Sequence, residues 1–186
     1  MNWIESLKSY KTWNEQEQKD KEIILNCVNQ FDDVLTRNNE LAHITSSAFV
    51  VNQSRDKVLM VHHNIYNAWS WTGGHADGDR DLLHVAKKEV MEETGVETIR
   101  AVTEEMISLD ILPVTGHKKN GKYIAPHLHL SVAYLLEADE HAPLVVKPDE
   151  NSDVQWIPFG QLEELCSNEP HMQRVYAKIM EKMEVV

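Results

Sequence analysis

The stretch from Gly73 to Val96, which reads G-G-H-A-D-G-D-R-D-L-L-H-V-A-K-K-E-V-M-E-E-T-G-V, constrains this chain more than any other. Gly73, Gly74 and Gly78 put an open, sharply turning loop first, and an apolar pattern of helical period follows it. The spacing predicts a helix that begins near Arg80 and stops at Gly95, because a glycine past the last turn takes the left-handed conformation that ends helices. Consecutive helix residues are about 100° apart, so residues three or four apart share a face. Measured from Glu89, Leu82, Val85 and Ala86 fall within roughly 60°, and so do Glu92 and Glu93. Lys87, Lys88, Met91 and Thr94 point elsewhere. The apolar stripe therefore turns into carboxylates, and the acids are expected on the inward face.

Clustered carboxylates on a partly buried face repel one another and hydrate poorly, so they take up protons unless a cation neutralises them. All-oxygen donors favour hard ions, and Mg2+ in particular is held by a few carboxylates, several waters and a substrate phosphate. Acids arranged for a divalent ion point to phosphate chemistry. The competing reading is an amphipathic helix whose acids pair with Lys87 and Lys88 in solvent.

In register, the segment runs Gly74, five residues, Arg80, seven residues, then Lys88-Glu89-Val90-Met91-Glu92-Glu93-Thr94-Gly95-Val96. It resembles the Nudix family signature, G-x5-E-x7-R-E-U-x-E-E-x-G-U with U aliphatic. Arg80 stands where the family has its first glutamate, and Lys88 where it has arginine. In the family that pair braces the loop against the helix. Here both residues are cationic, which leaves Asp79 or Asp81 as the partner for Lys88, without the planar fork of an arginine.

The resemblance implies a mixed α/β (α+β) fold, the Nudix-type α/β/α sandwich around a mixed β-sheet. It also implies a Mg2+-dependent hydrolase, with Mn2+ as the alternative ion, that cleaves a diphosphate linkage in a nucleoside diphosphate joined to another moiety. Carried over position by position, Glu89, Glu92 and Glu93 are the metal ligands, joined by the Gly74 carbonyl. The general base is then Glu92, Glu93 or Glu150. Glu150 lies in K-P-D-E-N-S-D-V-Q-W, six residues before Trp156, where some family members place a ligand or base. The competing class is a non-catalytic Nudix-fold protein that binds a nucleotide as a sensor or partner, since a fold does not guarantee chemistry. The intact glutamates argue against it, and Arg80 is the feature in its favour.

At 186 residues, 42% of them hydrophobic, the chain accommodates one domain and an appended element. Residues 1–42 read as an N-terminal helical extension and 43–186 as the Nudix domain. One or two helices are expected from about Trp3 to Leu35, with Asn14 as an N-cap and Ile23, Ile24, Cys27, Val28, Phe31, Val34 and Leu35 as the apolar stripe. The charged residues of the extension read as a solvated face, and its helices either pack on the domain or build an oligomer interface, such as a homodimer's. Strands are expected over 44–51, 57–62, 98–112, 127–137 and 154–157, with a run over 69–72 into the glycine loop and a hairpin turn at Asn120-Gly121. Helices over 160–166 and 170–183 follow.

The formal charge of −12 argues against a nucleic-acid or anionic-membrane surface, since both demand clustered lysine and arginine. Nucleotides stay open, because a bound metal brings its own positive charge. The opening M-N-W-I-E-S-L-K shows neither a long apolar run nor a cleavage pattern, which reads as a cytoplasmic protein. Cys27 and Cys166 read as small buried hydrophobes. His127 and His129 in H-L-H-L face one side of a strand. Zinc would need a third and fourth ligand, and none with a recognisable spacing accompanies them. They are expected instead to line the mouth of the substrate pocket or pack in the sheet, with a phosphate contact if one is protonated. His75, beside Gly74, is a candidate phosphate contact, and Trp71 or Trp69 either stacks on a base or packs in the core. The substrate reads as a small nucleotide-type molecule, with oxidised nucleoside triphosphates, nucleotide sugars and dinucleotides as the candidates.

Overall fold

Two asparagine caps set the first two helices. In the computed structural model, which describes residues 2–65, 67–119 and 121–185, Asn2 caps α1 (Trp3–Ser9) and Asn14 caps α2 (Glu15–Gln30). The Asn14 side chain accepts from the Glu17 amide at 2.9 Å, satisfying a donor that the helix itself leaves open. Leu7 and Ile24 are fully buried, whereas Ile23, expected in the same stripe, is exposed.

The strands follow the apolar runs. They are β1 (Ala42–Val51), β2 (Lys57–His63), β3 (Ala68–Ser70), β4 (Thr72–His75), β5 (Ile99–Val114), β6 (His117–Lys119), β7 (Lys122–Ile124), β8 (His127–Ala138) and β9 (Asn151–Pro158). The main sheet has the order β3-β2-β1-β8-β5, with β4 also on β1 and β9 also on β2. β1 runs parallel to β8 and every other pairing is antiparallel, so the sheet is mixed as expected. β1 changes partner along its length: Val50 and Val51 pair with β2, and Thr45 to Ala48 with β4. β5 carries register shifts between Ala101 and Ser108. β6 and β7 form the expected hairpin; Asn120 of its turn lies outside the described residues.

Helices cover both faces. On one, Leu82, Ala86 and Val90 of α3 (Leu82–Thr94) join the core of Ile44, Ala48 and Val50. On the other, Val175, Tyr176 and Ile179 of α5 (Pro170–Met183) join Phe49, Val51 and Met60, with the short α4 (Leu162–Leu165) beside them. This is the α/β/α sandwich. No described helix is long and apolar enough to cross a membrane.

The charged residues of the extension do not form a purely solvated face, and this corrects the sequence reading. Glu17 is fully buried, ion-paired to Lys182 and, at 3.1 Å, to Lys178, both on α5. Lys178 also reaches Asp110 at 2.6 Å and Gln16 at 2.9 Å, and Lys182 reaches the Tyr10 hydroxyl at 2.7 Å. Periodicity missed this cluster because its other half lies on β5 and α5, far away in sequence.

Candidate active site

α3 starts at Leu82, two residues later than expected, because Asp81 caps it by accepting from the His84 amide at 2.9 Å. Gly95, at φ 74°, ends it and donates its amide to the Met91 carbonyl at 3.0 Å. The buried face carries Leu82, Val85, Ala86, Val90, Glu93 and Thr94. Thr94 was expected to point outward, but it is fully buried and its hydroxyl donates to the Val90 carbonyl at 2.6 Å. A wheel centred on Glu89 leaves out Val90, which draws the buried face round by one position. Glu93 therefore faces inward, Glu89 lies half-buried on the flank, and Glu92 is exposed.

A cavity of about 650 Å3 is lined by Ser47, Gly73, Gly74, Glu89, Glu93 and Glu150, among others. Glu93 Oε2 accepts from the Gly73 amide at 3.3 Å. Burial first, and then the charge of Glu89, push the Glu93 carboxyl up to about 8. Glu89 is raised too, by burial and then by Glu92. A Cβ on Gly74 would overlap the Glu89 carboxylate, so a glycine lets the helix acid rest directly on the loop backbone. Two carboxylates that resist ionisation, set against loop backbone, suit a hard divalent cation; this donor set fits Mg2+ or Mn2+.

Lys147, which sequence reasoning passed over, stands among these acids, 3.0 Å from Glu150 and 4.0 Å from Glu92. Burial works against its ammonium, but Glu150, Glu92 and Glu89 outweigh that and hold its pKa above the ordinary value. A lysine three residues before the singled-out Glu150 was the available signal.

The brace expected of Asp79 or Asp81 is absent. Asp79 accepts from the Asp81 amide at 2.9 Å and lies 3.1 Å from His84 Nδ1, Asp81 caps the helix, and Lys88 pairs instead with Glu92 at 3.5 Å. The glycine loop is held from the other side. Arg37 grips Asp77 with two hydrogen bonds of 2.8 and 2.6 Å, and the Gly78 amide donates to the Leu35 carbonyl at 2.9 Å. The planar fork that position 88 lacks is thus present at Arg37.

The NUDIX domain family matches residues 42–181. The chain belongs to the Nudix hydrolase family. Among solved structures it is similar to an Ap4A hydrolase of C. elegans in a binary complex, with 13% identity and a TM-score of 0.53 over 77% of this chain and 98% of that one. It is likewise similar to a MutT protein from Methanosarcina mazei Go1, with 14% identity and a TM-score of 0.53 over 77% and 96% of the two chains. At such identities the likeness shows the shared Nudix fold. No curated protein matches the chain.

The other residues singled out from sequence also border the Nudix cavity. Glu150 lies directly before β9. Trp71 reaches the cavity but is only 7% exposed, and its ring packs edge-on to Tyr176 at 5.6 Å. Trp69, half-buried, is the more open of the two tryptophans. His75, His127 and His129 line the wall together with His43, which sequence reasoning missed. Burial first, then the neighbouring His75, His43 and His127, bring the His129 imidazole down to about 2, and burial lowers His43 as well.

Proposed function

We propose that this Nudix hydrolase cleaves a diphosphate linkage in a small nucleoside diphosphate derivative, with Mg2+ held by Glu89, Glu92, Glu93 and the Gly74 carbonyl. The observation that carries this reading is the buried Glu93 carboxylate beside Glu89 against a glycine loop, since that pair calls for a cation. A bound Mg2+ would neutralise phosphoryl charge and make a coordinated water more acidic. Glu150, which lines the cavity outside the ligand trio, is the proposed acceptor of the attacking water's proton, with Glu92 or Glu93 as the alternative base. Lys147 offers an ammonium to a phosphate oxygen of the substrate and orients Glu150 until then. Trp69 or Trp71 borders the space for a base, and the histidine wall borders the rest of the substrate. Residues 1–42 are taken as an extension that braces the 43–186 domain.

The test is phosphate or monophosphate release, with and without Mg2+, over nucleoside triphosphates, nucleotide sugars and dinucleotides, with Ap4A included because the C. elegans neighbour is named for it. A Mg2+-dependent hit is expected. Silence across the panel with nucleotide binding retained would favour the sensor reading.

Gly74→Ala is expected to fold normally, because the group it meets is the end of a flexible side chain. Displacing the Glu89 carboxylate should raise the Mg2+ concentration for half-maximal activity by roughly tenfold or more. A Mg2+ titration of the variant reads this directly.

A further inference from the structure

Four histidine side chains converge on the cavity wall. His43 pairs across the parallel ladder with His129, His127 lies two residues before it on β8, and His75 lies opposite Thr45 on β4. Strand alternation turns all four toward one face. One potential ligand nitrogen from each ring lies within 4.8 Å of all the others. His127 Nε2 and His129 Nε2 are 3.2 Å apart, and five of the ring pairs have centroids 4.9 to 5.2 Å apart.

The His127–His129 nitrogen distance and the ring separations are those of a metal site. Nitrogens about 2.0–2.1 Å from a tetrahedral ion lie roughly 3.3–3.4 Å from one another, and the ring centroids behind them roughly 5 Å apart. Two of the tautomers are set for it as well. His43 Nδ1 lies 2.9 Å from the Asn39 carbonyl, and His127 Nδ1 lies 2.9 Å from the Ala125 carbonyl. A carbonyl can only accept, so each Nδ1 carries the hydrogen and each Nε2 presents a lone pair to the cluster, the way outer hydrogen bonds orient metal-binding histidines. His43 is 4% exposed, and its Nε2 finds no hydrogen-bond partner among the described residues. A buried lone pair aimed at three other imidazoles is costly unless something fills the space between them.

We infer that His43, His75, His127 and His129 form a closed, four-coordinate site for a Zn2+-class transition ion, separate from the carboxylate site. Four imidazoles select zinc or its neighbours over Mg2+, and four protein ligands leave no open position, so the ion is structural. It would tie the end of the glycine loop, through His75, to the parallel pair β1–β8. Sequence spacing hides the set because only His127 and His129 are neighbours in sequence, while His43 and His75 come from two other strands.

The test uses the full chain, stripped with a chelator and then titrated with Co2+ or Zn2+ in excess Mg2+, which occupies the carboxylates but not the imidazoles. One Co2+ per chain is expected, with the visible absorption of four-coordinate nitrogen ligation, displaced by one equivalent of Zn2+ that also raises the melting temperature. His127→Gln should weaken Zn2+ binding by at least about a hundredfold, while Glu93→Gln leaves it unchanged. His75→Gln serves as the independent variant should His127→Gln fail to fold. Absence of stoichiometric binding in Mg2+, equal affinity in folded histidine variants, or loss in Glu93→Gln would overturn the inference. So would stabilisation by inorganic pyrophosphate with none by Zn2+, which would mark the histidines as phosphate contacts.

Discussion

Glu93→Gln should lower turnover by roughly 10³-fold, the several kcal/mol that a catalytic metal supplies, while leaving the metal-free protein at least as stable as the parent. The two halves of this result share one cause. Glu93 is 5% exposed and its carboxyl is pushed up to about 8, so without a cation it is held mainly in its neutral form at neutral pH. Glutamine keeps that neutral form, its shape and its acceptor for the Gly73 amide. It removes the ability to ionise, and with it the anionic charge that holds a hard cation. Steady-state kinetics with saturating Mg2+ checks the first half, and thermal melting in chelator checks the second. Full activity in this variant would sink the assignment of Glu93 as a ligand. A melting point well below the parent's would show that the activity loss came from damage to the fold.

Glu17→Ala should cost about 3–5 kcal/mol of stability, the usual penalty for leaving buried charges without a partner. Glu17 is fully buried against Lys178 and Lys182, and its carboxylate also accepts from the Trp13 amide at 2.8 Å and the Tyr10 hydroxyl at 2.9 Å. The double change Glu17→Met with Lys182→Met should recover most of the loss, because Lys178 keeps Asp110 at 2.6 Å. Urea unfolding of the three proteins measures the difference. The pH dependence has a definite sign. Burial opposes the charged carboxylate, but Lys182, Lys178 and the Trp13 amide outweigh it and hold Glu17 below its ordinary 4.5. Its contribution is therefore present above about 4.5 and lost as pH falls through the lower folded value. Glu17→Gln should lack that acid limb, and a stability profile as steep as the parent's below that point would contradict the cluster.

Much of this site was legible because its parts are local. Gly74, Glu89 and Glu93 sit within one loop and one helix, where angular spacing converts directly into geometry, and the strands announced themselves by runs such as Ala42–Val51. The reading failed where the determinant lay elsewhere in the chain. Lys88 was matched with Asp79 or Asp81 by proximity in sequence, but those acids serve the helix cap, and the loop is held by Arg37 from before β1. Thr94 was turned outward because one apolar residue, Val90, was left off the wheel. Glu17 read as a solvated acid because its lysine partners lie more than 160 residues away. His43 raised no signal at all, since a lone histidine in an apolar strand resembles any other residue until the neighbouring strand is in place.

The pairing of β1 with β8, together with the clasp of α2 on α5, also dictates when this protein can fold. Glu17 and Lys182 are 165 residues apart, and His43 meets His129 across the middle of the sheet. Such distant contacts form late, after a large loss of chain entropy. On the ribosome the glycine loop and α3 would emerge well before β8 exists to support β1. The early segments, with β1 buried along its whole length in the finished protein, must wait with that surface open to other chains. The clasp cannot close until α5 has emerged, so the interval between synthesis of β1 and emergence of α5 is when these segments are most exposed to aggregation.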